Sequence, residues 1–469
     1  MKKWLKKVGA GIVLPAMLAL TACGGFTARL EDVPQYEDAE PFRFVAYMGP
    51  PPANSGSGEF ATNPDYMTLE NYQIMADCGF NYTTGMYENT KELYLKGLDL
   101  AQQVGMKYYV RDYSFTDGCI EGIIAAANSE EEAQAMLEQQ QESIKARFEE
   151  YSEYESFAGV LAVDEPAAAR YPAIKVMNAW YEENFPETEF QVNLLPTYAS
   201  LNQLFGTADT DKTYKDDYVG YFNEYVDTAV LSYDHYALSK IGTTNRLSNT
   251  YLQNLEIFAN LAKESGKPFY VFLLTLGHWD YRTMEYYRDI AWQVYTSLAY
   301  GVKGLQTFTY WTLLSNGEAE KITTALVDRD GTKTPAWYAM QQVIREVRAF
   351  ESEYMAMQWA GTMPIAGDGR GEEENFAQLK HPLKEHPSVK SIRSDTHCVA
   401  GFFEGEGKTA IVLANFSDPC LNRRAKVQMQ LNAQNISVYR GGKREDISLT
   451  DGCFGTELKS GEGIYIALK

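Results

Sequence analysis

From Arg43 to about Glu346, short β-rich runs alternate with helix-length segments, and this alternation confines the chain to a parallel α/β architecture. The runs are 44–47, 81–83, 106–110, 160–163, 190–193, 229–233, 269–274 and 304–310. Eight of them, each followed by a helical stretch, predict a (β/α)8 TIM barrel over 43–350. The helices are legible too. Leu69, Tyr72 and Met75 fall at helical spacing, Ser129 opens a long run with Glu131 and Glu132 in its first turn, and Ile290, Ala291, Val294 and Leu298 share one face. Gly79, Gly105 and Gly266-Lys267-Pro268 stand just before strands, the turn chemistry expected between a helix and the next strand.

Beyond about 350 the pattern changes. A polar stretch rich in Gly and Glu, 367–375, marks 351–387 as a linker. Alternating runs at 399–403, 410–415, 425–429, 437–439 and 463–467, separated by Gly, Asp and Asn, predict a small antiparallel β-sandwich over 388–469. No repeat of solenoid length is present.

The N-terminus reads as an export signal. Lys2, Lys3, Lys6 and Lys7 precede an apolar stretch, 8–20, that is too short and too interrupted by proline to span a bilayer. Leu20-Thr21-Ala22-Cys23 resembles a bacterial lipoprotein box. The resemblance implies cleavage before Cys23, diacylation of its sulfur, and a location at the cell surface or periplasmic face with 24–42 as a tether. Two acyl chains make a stable anchor, each buried methylene contributing about 0.8 kcal/mol. An ordinary signal peptide is the alternative. Of the five later cysteines, Cys420 and Cys453 lie in one β-rich region and could pair. No CxxC spacing, HxH or HExxH accompanies the five histidines, so neither a metal nor a cofactor is expected. A net charge of −21 disfavours nucleic acid, whose phosphates it would repel, but not a neutral sugar. The load of 33 Tyr, 22 Phe and 7 Trp offers rings for stacking as well as for a core.

Asp164-Glu165-Pro166 closes the fourth apolar run. Buried parallel strands are almost continuously apolar, so carboxylates there need partners or a task. At the C-terminal end of a barrel strand a carboxylate faces the shared cleft. The same position on other strands gives Tyr47, Arg111 with Asp112, Asn193, Tyr233-Asp234-His235, His278 with Trp279, and Tyr310 with Trp311. Carboxylates, a guanidinium, an amide and aromatic rings are what glycoside recognition and cleavage require. Glu165 is the expected general acid, with adjacent Asp164 raising its pKa. Alternatively one of the pair caps the helix that begins at Pro166. Asp234 is the candidate second carboxylate, or else it braces the rim through a buried ion pair.

Asp164-Glu165-Pro166, the block 292–301, the block 304–311, Leu326-Val-Asp-Arg-Asp-Gly331 and Thr334-Pro-Ala-Trp-Tyr338 resemble bacterial glycoside hydrolases of the clan A type. The resemblance spans most of 43–469 and implies a barrel hydrolase with a small C-terminal β-domain, acting on a glycan. One departure stands out. Clan A enzymes carry Asn-Glu after strand four and a nucleophilic Glu after strand seven, whereas 272–279 holds no carboxylate; Asp280 and Glu285 follow it. Two schemes remain. Either Asp234 partners Glu165 directly, at about 5 Å for retention or about 6.5–9.5 Å for inversion, or the substrate supplies the nucleophile. The adjacent Asp-Glu pair is similar to that of family 20 and family 123 hexosaminidases, where Glu protonates the leaving oxygen and Asp orients a 2-acetamido group. A catalytically silent carbohydrate-binding lipoprotein is the competing class.

Overall fold

A computed structural model of the chain describes residues 40–315, 320–369 and 372–469, together with the backbone of Phe26–Ala28. The signal segment, Cys23 and most of the expected tether lie outside the described residues. Eight parallel strands close into a barrel: β1 (Arg43–Tyr47), β2 (Tyr82–Thr84), β3 (Lys107–Val110), β4 (Phe157–Asp164), β5 (Glu189–Leu194), β6 (Leu231–Asp234), β7 (Phe269–Leu274) and β8 (Gly304–Phe308). They are the eight runs read from the sequence, in the same order. Their helices are α1 (Leu69–Cys78), α2 (Lys91–Gln103), α3 (Glu130–Ser152), α4 (Tyr171–Asn184), α5 (Tyr221–Tyr225), α6 (Tyr251–Ser265), α7 (Tyr287–Ala299) and α8 (Pro335–Arg348). Thr68 and Ser129 cap α1 and α3 by accepting the backbone N–H of Asn71 and Glu132. Among the described residues no helix is long and apolar enough to cross a membrane.

Register decides which side chains enter the barrel. Successive strand residues alternate between the interior and the helix layer. Asn193 of β5 aligns with Asp164 of β4 and with Ser232 of β6, while Asp234 aligns with Phe272 of β7. Strand β4 carries an extra residue opposite β5, because Leu161 pairs with Gln191 but Val163 pairs with Val192. Strict alternation from inward-facing Leu161 would turn Asp164 toward the helices. The bulge restores it to the interior, a local re-aiming for which bulges are suited. At the opposite end Arg43 and Glu189 form an ion pair, and Tyr109 donates to Glu189 at 2.8 Å, so the barrel floor is closed by side chains.

The stretch 351–387 is not a linker. It supplies strand β9 (Gln358–Ile365), which pairs with the C-terminal sheet. The other strands of the C-terminal region are β10 (Val389–Ser394), β11 (Cys398–Gly405), β12 (Lys408–Asn415), β13 (Ala425–Leu431), β14 (Asn435–Arg440), β15 (Lys443–Ser448), β16 (Cys453–Leu458) and β17 (Gly463–Leu468), while Leu238–Ile241 and Thr244–Leu247 form a separate two-stranded ribbon after β6. One sheet runs Phe26–Ala28, β15, β14, β17, β12, β11, β9, and a three-stranded sheet runs β10, β13, β16. An apolar core that includes Phe402, Leu413, Val427, Met429, Ile464 and Ile466 fills the sandwich. The larger sheet packs on α7: Trp292 donates to the Phe416 carbonyl at 3.1 Å, and a Cβ on Gly401 would lie 1.9 Å from the Ala299 carbonyl oxygen. That glycine permits the close approach. Cys420 and Cys453 do not pair. All five described cysteines are free thiols, with Cys420 against Arg282 and Cys453 donating to Gln430 at 3.1 Å.

Candidate active site

A cavity of about 260 Å³ opens at the C-terminal end of the barrel. Tyr47, Asp164, Glu165, Asn193, Asp234, His278 and Trp279, all expected from the sequence, line it. Tyr236, Phe272, Phe308, Leu313 and Glu320 complete the wall. Three carboxyl groups therefore converge from two strands, and a fourth stands on the loop after β8.

Asn193 is the pivot. Its amide nitrogen donates to Asp164 at 3.1 Å and to Asp234 at 3.4 Å. Its oxygen accepts from Ser232 at 2.9 Å, and Ser232 accepts from Gln306 at 2.9 Å. This chain of donors fixes the amide orientation and holds both aspartates from beneath. Asp164 also accepts from the Tyr47 hydroxyl and lies beside the Arg111 charge. Burial pushes its pKa up, and Arg111, Asn193 and Tyr47 oppose that rise.

The Glu165 and Asp234 carboxyls lie within hydrogen-bonding reach of one another. Burial, then the neighbouring charges of Glu165 and Asp164, push Asp234 well above the ordinary carboxylate range. Glu165 is also raised, by the protein around its carboxyl and then by Asp164. Yet Glu165 is solvent-accessible whereas Asp234 is 6% exposed. Of the two, Asp234 is the more deeply enclosed and the more strongly raised.

Glu165 holds φ at +50°, in the left-handed region, immediately before a proline. Such a backbone is unfavourable for a residue with a Cβ, and a following proline restricts it further. Neither carboxylate caps a helix. The helical turn Ala168–Arg170 begins from Ala167 with no side-chain cap. His278 donates from Nδ1 to the Leu276 carbonyl at 3.0 Å, which leaves Nε2 as an acceptor beside the cavity. Burial lowers its pKa, so the ring is neutral. Trp279 is 58% exposed at the rim, with φ +47°.

Six expected site residues fall elsewhere, Asp112 among them in a buried ion pair with Arg147. Tyr233 points into the helix layer and stacks on Phe258 at 4.1 Å, as the alternation from Asp234 demands. His235 is buried between Asn254 and Ser248, each at 2.9 Å, with its pKa pushed down to about 4 by burial. Tyr310 and Trp311 lie past the end of β8 and pack on Phe80 and Tyr66. Arg111 is held by Glu121 through two contacts of 2.9 Å and reaches the site only through its charge beside Asp164. Asp280, after β7, pairs with Lys321 at the surface. Phe272 and Phe308 were legible in principle, because they share the inward register of Asp234. No sequence signal marks Leu313 or Glu320.

Among the described residues one group has metal-ligand spacing away from the cleft: Glu372, Glu373 and His397, with ligand atoms within 4.8 Å. His397 Nδ1 accepts the Gly367 N–H at 3.1 Å, so the neutral ring carries its proton on Nε2, the nitrogen that faces the carboxylates. With its proton there the ring offers no lone pair to a metal, and that nitrogen has no hydrogen-bond partner among the described residues.

No known family model and no curated protein matches the chain. Among solved structures it is similar to a β-galactosidase from the psychrophilic Marinomonas ef1, with TM-score 0.48 and 10% identity over 67% of this chain and 62% of that one. It thus spans less than two thirds of that enzyme. It is also similar to a family 39 glycoside hydrolase from the gut symbiont Bacteroides cellulosilyticus WH2, with TM-score 0.48 and 12% identity over 93% and 82% of the two chains. A further structure described as a glycoside hydrolase gives TM-score 0.49 and 11% identity over 93% and 96%. At these scores the likenesses assign neither a family nor an activity.

Proposed function

We propose that this chain is a glycoside hydrolase with Glu165 as the proton donor to the leaving oxygen. The observation that carries the reading is the close approach of the Glu165 and Asp234 carboxyls inside a small cavity walled by aromatic rings. Glycosidic cleavage needs a carboxyl that is still protonated at the working pH, and a buried carboxyl pair whose pKa values are raised provides it. A sugar entering the cavity displaces water from Glu165 and raises its pKa further. At about 260 Å³ the cavity is below the usual range for ligand pockets, which starts near 300 Å³, and suits one ring end of a glycan.

The contact between Glu165 and Asp234 also favours one mechanistic reading. Two carboxyls in direct contact leave no room between them for the water or the anomeric carbon that direct inverting or retaining attack places there. Asp164, independently held by Tyr47 and Asn193, is free to orient a nucleophile belonging to the substrate. A 2-acetamido sugar has one, and substrate-assisted N-acetylhexosaminidase activity is the finer form of the proposal. The test is a panel of aryl glycosides with and without a 2-acetamido group, run with wild type and Glu165→Gln. Turnover that is abolished by Glu165→Gln supports the hydrolase, and turnover confined to the acetamido sugars supports the substrate-assisted form. Sugar binding without turnover of any member would establish a silent binding protein instead. The basic and apolar leader with Leu20-Thr21-Ala22-Cys23 further supports a lipid anchor at Cys23 and a bacterial extracytoplasmic location. Metabolic labelling with a fatty acid, lost in Cys23→Ala, checks it.

A further inference from the structure

A strained residue persists only where its surroundings over-determine it. Glu165 is such a residue, so something must hold the peptide on each side of it. On the N-terminal side its own N–H donates to the Asn193 carbonyl at 2.8 Å. On the C-terminal side the next carbonyl, that of Pro166, accepts from the Tyr218 hydroxyl at 2.7 Å. The same hydroxyl accepts the Leu195 N–H at 3.2 Å. One buried oxygen thus ties the residue after Glu165 to the end of β5.

The element that delivers this hydroxyl is unusual. Residues 214–220 form a π-helical turn leading into α5, and such turns are rare features found frequently at functional sites. The turn sends two tyrosine hydroxyls into the strand ends. Tyr214 donates to the Leu195 carbonyl at 2.7 Å and does not touch the Glu165–Pro166 segment, whereas Tyr218 does. The Tyr218 ring is fully buried among Tyr171, Phe205 and Tyr214, with ring centroids at 5.6, 6.3 and 5.7 Å, so its hydroxyl cannot swing away. It also lies near enough to feel the charges of Glu165 and Asp234.

We infer that Tyr218 is a positioning residue that locks the strained Glu165 peptide and so sets how the Glu165 carboxyl meets that of Asp234. As a statement about catalysis this rests on the hydrolase reading. As a statement about the carboxyl pair it does not.

The test compares Tyr218→Phe with Tyr214→Phe in the full chain. Each removes one buried hydroxyl from the same turn. On an aryl glycoside that wild type cleaves, Tyr218→Phe is expected to lower kcat by up to about 100-fold, the scale of a misplacement near 1 Å. KM should change little, and the alkaline limb of the kcat/KM profile should move. Tyr214→Phe should leave that limb in place. The readout that needs no activity is the difference in Tm between each protein and its Glu165→Gln derivative, followed against pH, which isolates the Glu165 proton. That profile should move in the Tyr218→Phe background only. If Tyr218→Phe does not fold, a ring-fluorinated tyrosine at position 218 alters the hydroxyl while keeping its size, and the same two profiles should shift. Profiles unmoved at position 218, or moved equally at 214, overturn the inference. A moved Tm profile in a protein that cleaves no glycoside would uphold Tyr218 as positioning while removing the hydrolase reading.

Discussion

Replacing Glu165 by glycine should leave a more stable protein than replacing it by alanine. Both changes remove the carboxyl, its coupling to Asp234 and its side-chain contacts. They differ in the Cβ, which alanine keeps at φ +50°. A left-handed backbone costs a residue with a Cβ roughly 1–2 kcal/mol, and the following proline crowds it further. Glycine is free of that cost but loses about 0.5–1 kcal/mol more chain entropy on folding. The difference leaves glycine ahead by about 0.5–1 kcal/mol, whereas at an ordinary helix or strand position alanine leads by a similar amount. The sign is therefore diagnostic. Differential scanning calorimetry and urea unfolding of the two variants, measured side by side, give the comparison. For a chain of this size 1 kcal/mol corresponds to about 1 °C in Tm, and the urea midpoint shift is small for the same reason of size, so agreement of the two measures in sign is required. An alanine variant as stable as or more stable than the glycine variant would refute the stored strain, and with it the reason for a device that holds the Glu165 peptide.

Arg147→Met should cost about 3–5 kcal/mol in urea unfolding, because it leaves Asp112, whose side chain is fully buried and 2.9 Å from the guanidinium, without its counter-ion. Trp279→Ala removes an exposed ring at the cavity rim; a loss of about 0.5–1.5 kcal/mol should appear as a roughly two- to tenfold rise in KM with kcat retained. The pH dependence of stability follows from the raised pKa values of Glu165 and Asp234. Stability owed to a carboxyl with a raised folded pKa is complete below the unfolded value of about 4 and is lost as pH climbs through the folded value. Asp234→Asn has no such proton to lose, so its Tm should gain on wild type as pH rises from about 4 to 8; a constant difference over that range would contradict the assignment.

The barrel was legible because its strands are buried on both faces and so stand out as apolar runs between glycine-marked turns. The site was half legible for a geometric reason. The residue after the last apolar position faces the cleft only if the strand's alternation agrees. In β6 it does for Asp234, and the neighbouring Tyr233 is thereby turned to the helices. In β4 a bulge was needed to bring Asp164 inward, and nothing in 157–164 announces it. Tyr310 and Trp311 were misplaced because β8 ends at Phe308, two residues earlier than its aromatic run suggests. Strand β9 was hidden by Gly361 and Pro364. Its position at the sheet edge explains the proline, whose missing N–H faces no partner strand there. The contact between Glu165 and Asp234 depends on register and on one left-handed residue, and neither is written in local sequence.

The claim that Glu165 delivers the proton is tested most directly by the leaving-group dependence of Glu165→Gln. A poorly activated alkyl or sugar leaving group needs protonation, whereas a dinitrophenolate departs without it. If Glu165 is the general acid, kcat/KM should fall by about 10²–10⁴-fold for the unactivated glycoside and little for the dinitrophenyl one. An equal loss on both substrates, or no loss on either, would contradict the assignment.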